Sequence, residues 1–462
     1  MTKGFPSISD IDLGFLFLVP FESAFNFYTA MKPTFFILRP VALAACSAMM
    51  ALPASAIDVG PFSITGFAKA EVVTAGNQCE GCQRFPEEGR HRLWADELVP
   101  GAKYGTKTTS VTLFQPWIAY NQDVGMGVKV HGLLSQRWRD GKVDIPGAVY
   151  EHNVAISHEE FGRLSVGAMT SRGWSVADYP YGSDIGVADA WASSGAGYGL
   201  LSQAVRYTSR PFDVMGGDLV LEVSHDRGNN DFKINKARLT EVWAQYRRGD
   251  LALDAVVQTS RNGTPSAWGH GPFTGLTPNA ADDNKLGGSG QSMAMLMARY
   301  DLNSAWQLSA GVRKNRWSGA YAVVTGQENG NDLWNQMFNV HWNGSLRGVP
   351  NPGYSATSTD LSLGVRHRRG DWTYSAGYVH LGKAKTANPA DRGQHNSMNL
   401  VALGVSKNFN NGWQVYGLAG MVAYQRKGQA PLSMPAHNAF SGVDSRVAKT
   451  GRWIGAGATY TF

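Results

Sequence analysis

The sequence predicts an all-β fold: a sixteen-stranded antiparallel transmembrane β-barrel with short periplasmic turns and long extracellular loops. Three observations predict it. The chain stops on Gly451-Arg-Trp-Ile-Gly-Ala-Gly-Ala-Thr-Tyr-Thr-Phe462, where Ile454, Ala456, Ala458, Tyr460 and Phe462 alternate with small or polar residues and only Trp453 breaks the pattern. A period of two with one apolar register is a strand lying between two unlike media. The same design recurs upstream in segments of about ten residues separated by turn residues, the signature of a membrane barrel. Finally, short and long connections alternate along the whole chain.

The composition agrees with this architecture. Of the 462 residues, 43% are hydrophobic and 17% charged. A bundle of transmembrane helices needs spans of about 18 or more apolar residues, whereas half of each barrel strand faces water.

Residues 1–56 are expected to be an upstream extension plus a cleavable leader. From Met31 the chain shows Lys32 and Arg39, an apolar run from Val41 to Leu52, then Ala54-Ser55-Ala56. That is a basic start, a short apolar core and a small-residue cleavage site, so cleavage is expected after Ala56. Leu43-Ala44-Ala45-Cys46 also resembles a lipoprotein processing box, but the better cut lies ten residues on. Residues 1–30 set Asp10, Asp12 and Glu22 against one lysine, which makes a poor leader, and Met31 is the expected start. Removing 1–56 takes away three basic and three acidic residues, leaving the net charge at +6.

Residues 57–462 show no compositional break and are expected to form one domain. The short connections are Asn121–Gly127, Glu159–Gly162, Pro211–Gly217, Arg247–Asp250, Leu302–Ala305, Arg369–Asp371 and Phe409–Gly412. The long ones fall near 75–105, 139–148, 172–202, 226–236, 261–291, 317–357, 382–396 and 425–450. Seven short and eight long connections join sixteen strands. A barrel of about sixteen to eighteen strands encloses an aqueous channel.

Strand registers support an apolar outer and a polar inner face. Lys129, His131, Ser135 and Arg137 share one face, and Val128, Val130, Leu134 and Trp138 the other. Asp360, Ser362, Arg366 and Arg368 oppose Leu361, Leu363 and Val365; Ala402, Gly404 and Ser406 oppose Val401, Leu403 and Val405. Trp306, Trp372 and Trp413 each follow a short turn, and Phe161 and Phe409 flank two others. Amphipathic rings gather at the headgroup level, so these residues are expected to form an interfacial belt.

The sixteen-strand plan, the leader, the terminal Phe462 and segments such as Glu160-Phe-Gly-Arg-Leu-Ser-Val-Gly167 resemble the general-diffusion porins of Gram-negative bacteria, most of all the β-proteobacterial trimeric branch. The resemblance covers essentially all of 57–462. It implies passive diffusion of small hydrophilic solutes and ions across the outer membrane. It also implies a homotrimer, contact with outer-membrane lipid and lipopolysaccharide, and a third long loop folded into the lumen. Phe462 would be read by the barrel-assembly machinery.

That third loop, 172–202, holds Asp178, Asp184 and Asp189, with Trp174, Tyr179, Tyr181, Trp191 and Tyr198, and no Lys or Arg after Arg172. Tyr179-Pro-Tyr-Gly-Ser-Asp184 loosely resembles the Pro-Glu-Phe-Gly-Gly-Asp motif of porin constriction loops, without its Glu and with Tyr181 in place of Phe. Opposite it, Lys129, Arg137, Arg206, Arg210, Arg313, Arg366 and Arg368 are candidates for a basic pore wall. Opposed charge rows would create a transverse field that tunes ion preference. An alternative role for the four near strand ends, Arg137, Arg210, Arg366 and Arg368, is to serve the interfaces. An excess of positive charge would favour anions.

Cys79-Glu-Gly-Cys82 is expected to be a local disulfide in the first long loop, since export favours pairing. No metal, cofactor or nucleic-acid partner is expected. Two other functions fit the same architecture. The loop aromatics suggest a substrate-selective channel with a sugar- or aromatic-acid-binding track. His395, Ser397 and Asn399, in the outward register of Val401, resemble the outward His–Ser arrangement of the outer-membrane phospholipase, where a base activates a hydroxyl beside lipid.

Overall fold

The computed structural model describes residues 56–76, 90–91, 99–100, 107–143, 149, 151–192, 195–197, 199–227, 238–261, 276–277, 289–319, 322–323, 355–383, 385–386, 397–409, 411–425 and 450–462. The leader and the Cys79–Cys82 pair lie outside these residues.

Sixteen strands make the wall: β1 (Phe62–Gly76), β2 (Lys107–Gly125), β3 (Val128–Ser135), β4 (Glu151–His158), β5 (Gly162–Thr170), β6 (Leu200–Thr208), β7 (Gly217–Asp226), β8 (Arg238–Arg248), β9 (Leu251–Arg261), β10 (Ser289–Asp301), β11 (Trp306–Gly319), β12 (Ser355–Arg369), β13 (Trp372–Leu381), β14 (Met398–Asn408), β15 (Trp413–Tyr424) and β16 (Thr450–Thr461). Each pairs antiparallel with its sequence neighbours, and β16 returns to β1 with Ala70 opposite Ala458. The ring is closed, so the sheet has no free edge to leave unpaired in hydrocarbon. The seam ends on Phe462, whose N–H and C=O both bond Gly66, at 3.0 and 2.9 Å. A Cβ at Gly66 would stand 2.6 Å from the Phe462 ring, so the glycine makes room for it. Phe114 and Tyr460 stack on that ring at 6.2 and 6.1 Å.

All seven short connections lie at tight turns. Met126–Gly127 and Met215–Gly216 have positive φ at both central residues, as a two-residue type I′ hairpin requires. The turn of a right-handed strand pair therefore forces two methionines into the left-handed region.

The outward register is apolar through the middle of the wall. Val154, Leu363, Leu403 and Ile454 are 62%, 54%, 56% and 64% exposed, while their chain neighbours face inward. The aromatic belt lies beside the short turns. Trp306 stacks on His367 at 4.3 Å, and Lys407 sits 5.5 Å over Trp372 and 5.4 Å over Phe409. Trp413 is covered by Tyr460. A charge in the middle of the outward face should be costly. Leu403→Arg is expected to lower the stability of the lipid-embedded barrel by about 2–4 kcal/mol. Lys129→Leu, on the inward register, should change it by much less. Urea unfolding in lipid vesicles measures both.

Candidate functional site

The segment after β5 does not cross open water. It packs against inward-facing side chains of β7 to β15. Ser171 caps the first turn, accepting from Trp174 N–H at 3.1 Å, and α1 (Arg172–Val176) follows. The backbone N–H groups of Arg172 and Gly173 have no partner within so short a helix. Both donate to the Glu241 carboxylate on β8, at 2.8 and 2.8 Å, and Gln258 on β9 donates to it at 2.5 Å. The Arg172 guanidinium forks onto Glu222 on β7, at 2.8 and 2.9 Å, the bidentate geometry that suits a carboxylate best. Arg206 on β6 adds a contact of 3.0 Å to Glu222 and one of 3.5 Å to Glu241.

Beyond α1 the chain turns through Ala177–Gly182 and Ser183–Ile185 to Gly186, whose φ of 73° lies in the left-handed region. Tyr181 donates its hydroxyl to Asp254 on β9 at 3.0 Å, and Trp243 and Gln245 donate to the other oxygen at 3.0 and 2.9 Å. Burial and the adjoining Asp254 carboxylate hold the Tyr181 hydroxyl above its usual range, so it remains a donor at neutral pH. Asp184 is ion-paired with Arg366 on β12, which also donates to Gln307 at 3.0 Å. Within the loop, Asp178 accepts from Ser183 at 2.8 Å.

The tip of the loop rests where the wall has almost no side chains. Gly364, Gly377 and Ala402 pair in one row across β12, β13 and β14. An added Cβ at Gly364 would stand 2.6 Å from Ile185 Cδ1, and one at Gly377 would fall on the Ile185 carbonyl. The last turn, α2 (Ala188–Trp191), puts Trp191 against Gly311, with its indole N–H 3.4 Å from Met297 sulfur. Arg313 then closes the anchor. It donates to the Trp191 carbonyl and, at 3.0 and 2.8 Å, to Asp360, and stacks over the Trp191 ring at 5.0 Å.

Much of the inner wall beneath the loop is therefore apolar, contrary to the polar-in expectation. Met293, Met295, Met297, Val379, Leu381, Met398 and Leu400 all face inward and are buried, forming one cluster with Val176, Ile185, Val187 and Trp191 of the loop. Both faces of these strands are covered, one by the loop and one by the lipid-facing register. The sequence carries a signal for this: near-continuous apolar runs such as Met293-Ala-Met-Leu-Met-Ala298, the mark of a sheet buried on both sides. Trp453, the break in the terminal pattern, belongs to the same cluster.

Several candidates take positions other than those expected. Arg313 and Arg366 are 1% and 3% exposed and lie under the loop, so they are not across an open lumen from it. Arg206, at 7%, is part of the Glu222–Glu241 anchor. Arg137 lies just past β3 and is buried. Arg210 is in a short connection, 5.8 Å over Phe212, at the membrane edge and not on the pore wall. Arg368 is half-buried near the turn end of β12, and Lys129 is exposed on the inward register of β3. Asp189 lies on α2, with its side chain outside the described residues. Sequence reasoning passed over Arg163, Arg247 and Arg299, which also face inward. Arg247 and Arg299 make no hydrogen bond or ion pair with the described residues, and Arg163 reaches Ser165 at 3.3 Å. The parity of their strands was sufficient to find them.

The aromatic-track reading loses two members, because Tyr181 and Trp191 are 2% and 0% exposed. Ser397 precedes β14 and is 5% exposed, so it does not share the outward register assigned to it; His395 lies outside the described residues. Asn399 does face outward. It accepts from Tyr378 at 2.7 Å and lies 2.8 Å from His380, both on the adjoining strand.

No family model matches the sequence, and no curated protein matches it. Solved structures do. The anion-selective porin from Comamonas acidovorans superposes with a TM-score of 0.53 at 12% identity, covering 87% of this chain and 99% of that one. OmpT of Vibrio cholerae, in its trimer form, gives 0.52 at 16% identity over 88% and 100%. OmpF of Salmonella typhi, in complex with daunomycin, gives 0.52 at 13% identity over 88% and 100%. At these identities the likeness is one of fold, and the fold is that of the Gram-negative porins.

Proposed function

We propose that the chain is a passive, water-filled channel of the outer membrane for small hydrophilic solutes and ions, narrowed by the loop that follows β5. The observation that carries this reading is the loop itself. Four anchors spread from β7 to β12 hold it against the inside of a closed barrel wide enough for a lumen: Glu241 with Glu222, Asp254, Arg366 and Arg313. A segment attached so firmly inside a cylinder sets its bore. Transport is then diffusion, with no chemical step, cofactor or metal.

The lining supports a preference for anions. The inward carboxylates of Glu71, Glu151, Glu222, Glu241, Asp254 and Asp360 are no more than 7% exposed and accept hydrogen bonds from protein donors. Lys129, Arg163, Arg247 and Arg299 are more accessible, with two exposed acids among them, Asp218 beside Arg247 and Asp123 opposite Lys129. Accessible cations raise the local concentration of anions. Around this reading stand the export leader ending at Ala56, a Cys79–Cys82 staple, Phe462 as an assembly signal and association of three barrels, all still proposals.

Planar-bilayer recording on refolded 57–462 tests it. Discrete, ohmic current steps with a reversal potential on the anion side of zero under a salt gradient are expected. Absence of steps from folded barrel would overturn the reading.

A further inference from the structure

Two accessible arginines stand two strands apart on the short-turn side of the loop, with a gap between them. Arg247 on β8 and Arg299 on β10 are both cross-strand partners of Ala252 on β9, and all three face inward. Two strand spacings set the Cα atoms of the arginines about 10 Å apart. The Ala252 methyl leaves that interval open, so both guanidinium groups can lean over it toward one point. The next inward residue of β9 toward the loop is Asp254, which is spent on Tyr181, Trp243 and Gln245. The positive charges of Arg299 and Arg247 both reach the Tyr181 hydroxyl, so the loop bounds the gap on that side. Among the described residues, no acid is paired with either arginine. Asp218 lies opposite Arg247 on β7, on the side away from Ala252, and Asp250 sits in the turn. Asp301 accepts from Gln307 at 2.6 Å, and Asp184 is paired with Arg366.

Each guanidinium presents a pair of parallel N–H donors. A carboxylate has two oxygens and is satisfied by one such fork, whereas a phosphate group has an oxygen pair for each of two. Two positive charges also match the dianion that a phosphate monoester becomes above its second pKa of about 6. We propose that Arg247 and Arg299, over Ala252, form a saturable seat for a phosphate dianion, free or as a small ester. Scattered cations raise the local concentration of every anion. Two cations converging on one point instead retain one anion, chosen by its shape and charge. The inference deepens the channel reading above and rests on it, because the seat is reached only through the lumen.

Bilayer recording of refolded 57–462 in chloride tests it, with inorganic phosphate, glycerol phosphate or acetate added. Phosphate above about pH 7 should reduce the chloride current along a saturating curve, and near pH 5, where it is a monoanion, much less. R247Q/R299Q should raise the half-blocking concentration about ten-fold. Ala252→Leu keeps both charges but fills the gap, and should also weaken the block, which a diffuse field would not do. Arg248→Gln removes an outward charge one residue along and should be blocked like the parent. Block by inorganic phosphate alone supports a seat for free phosphate, and block by both phosphates one that also admits the ester. A non-saturating response, equal block by acetate, or unchanged block in R247Q/R299Q overturns the proposal. Calorimetric titration of the folded barrel with phosphate reads the seat without current. Retained binding in a barrel that gives no current steps would overturn the channel reading instead.

Discussion

Arg313→Gln is expected to lower barrel stability by about 3–5 kcal/mol, the cost of leaving one member of a buried ion pair alone. Asp360, 2% exposed, would lose both guanidinium bonds, keeping those from Asn315 and Gly382. The Trp191 carbonyl and ring would lose their partner as well, so the far end of the loop should come away from the wall. The expected record is a lower urea midpoint in lipid vesicles together with frequent switching between two conductance levels. Asp360→Asn in the same chain should recover part of the stability, because removing both charges costs less than stranding one. If the single variant unfolds like the parent, Arg313 is not the anchor described.

Gly377→Val should separate loop seating from barrel folding. The new side chain would occupy the place of the Ile185 carbonyl and the Val187 methyl, 2.8 Å away. Overpacking of this kind costs about 1–3 kcal/mol, less than the wall pairing it leaves intact. The barrel should still form and migrate as folded material, while the loop tip lifts from the row of Gly364, Gly377 and Ala402. Single-channel conductance should then rise, with no change in the urea midpoint beyond the overpacking cost. A folded variant of unchanged conductance would show that the tip does not set the bore.

Most of the wall was legible in the sequence. Local alternation fixed the facing of Leu361, Leu363, Val401, Leu403 and Ile454, and turn residues placed all seven short connections. The inside was only partly legible. The loop was recognisable from its length, aromatics and acidic residues, yet the partners of those residues were not. Asp184 was expected to face a basic row across the lumen, and it pairs instead with Arg366 on the wall where the loop lies. Arg313 is saturated by Asp360 and the Trp191 carbonyl, from the next strand and from 122 residues away.

Strand identity, facing and closure were set by the sequence itself, because a period of two is written into neighbouring residues and lipid demands that every backbone group be paired. Only the tertiary structure decided which wall the loop lies on. With that came the charges it consumes and those left for solutes, because a segment of this length can cross the cylinder in several directions. The choice rests on side chains brought together from β7 through to β15.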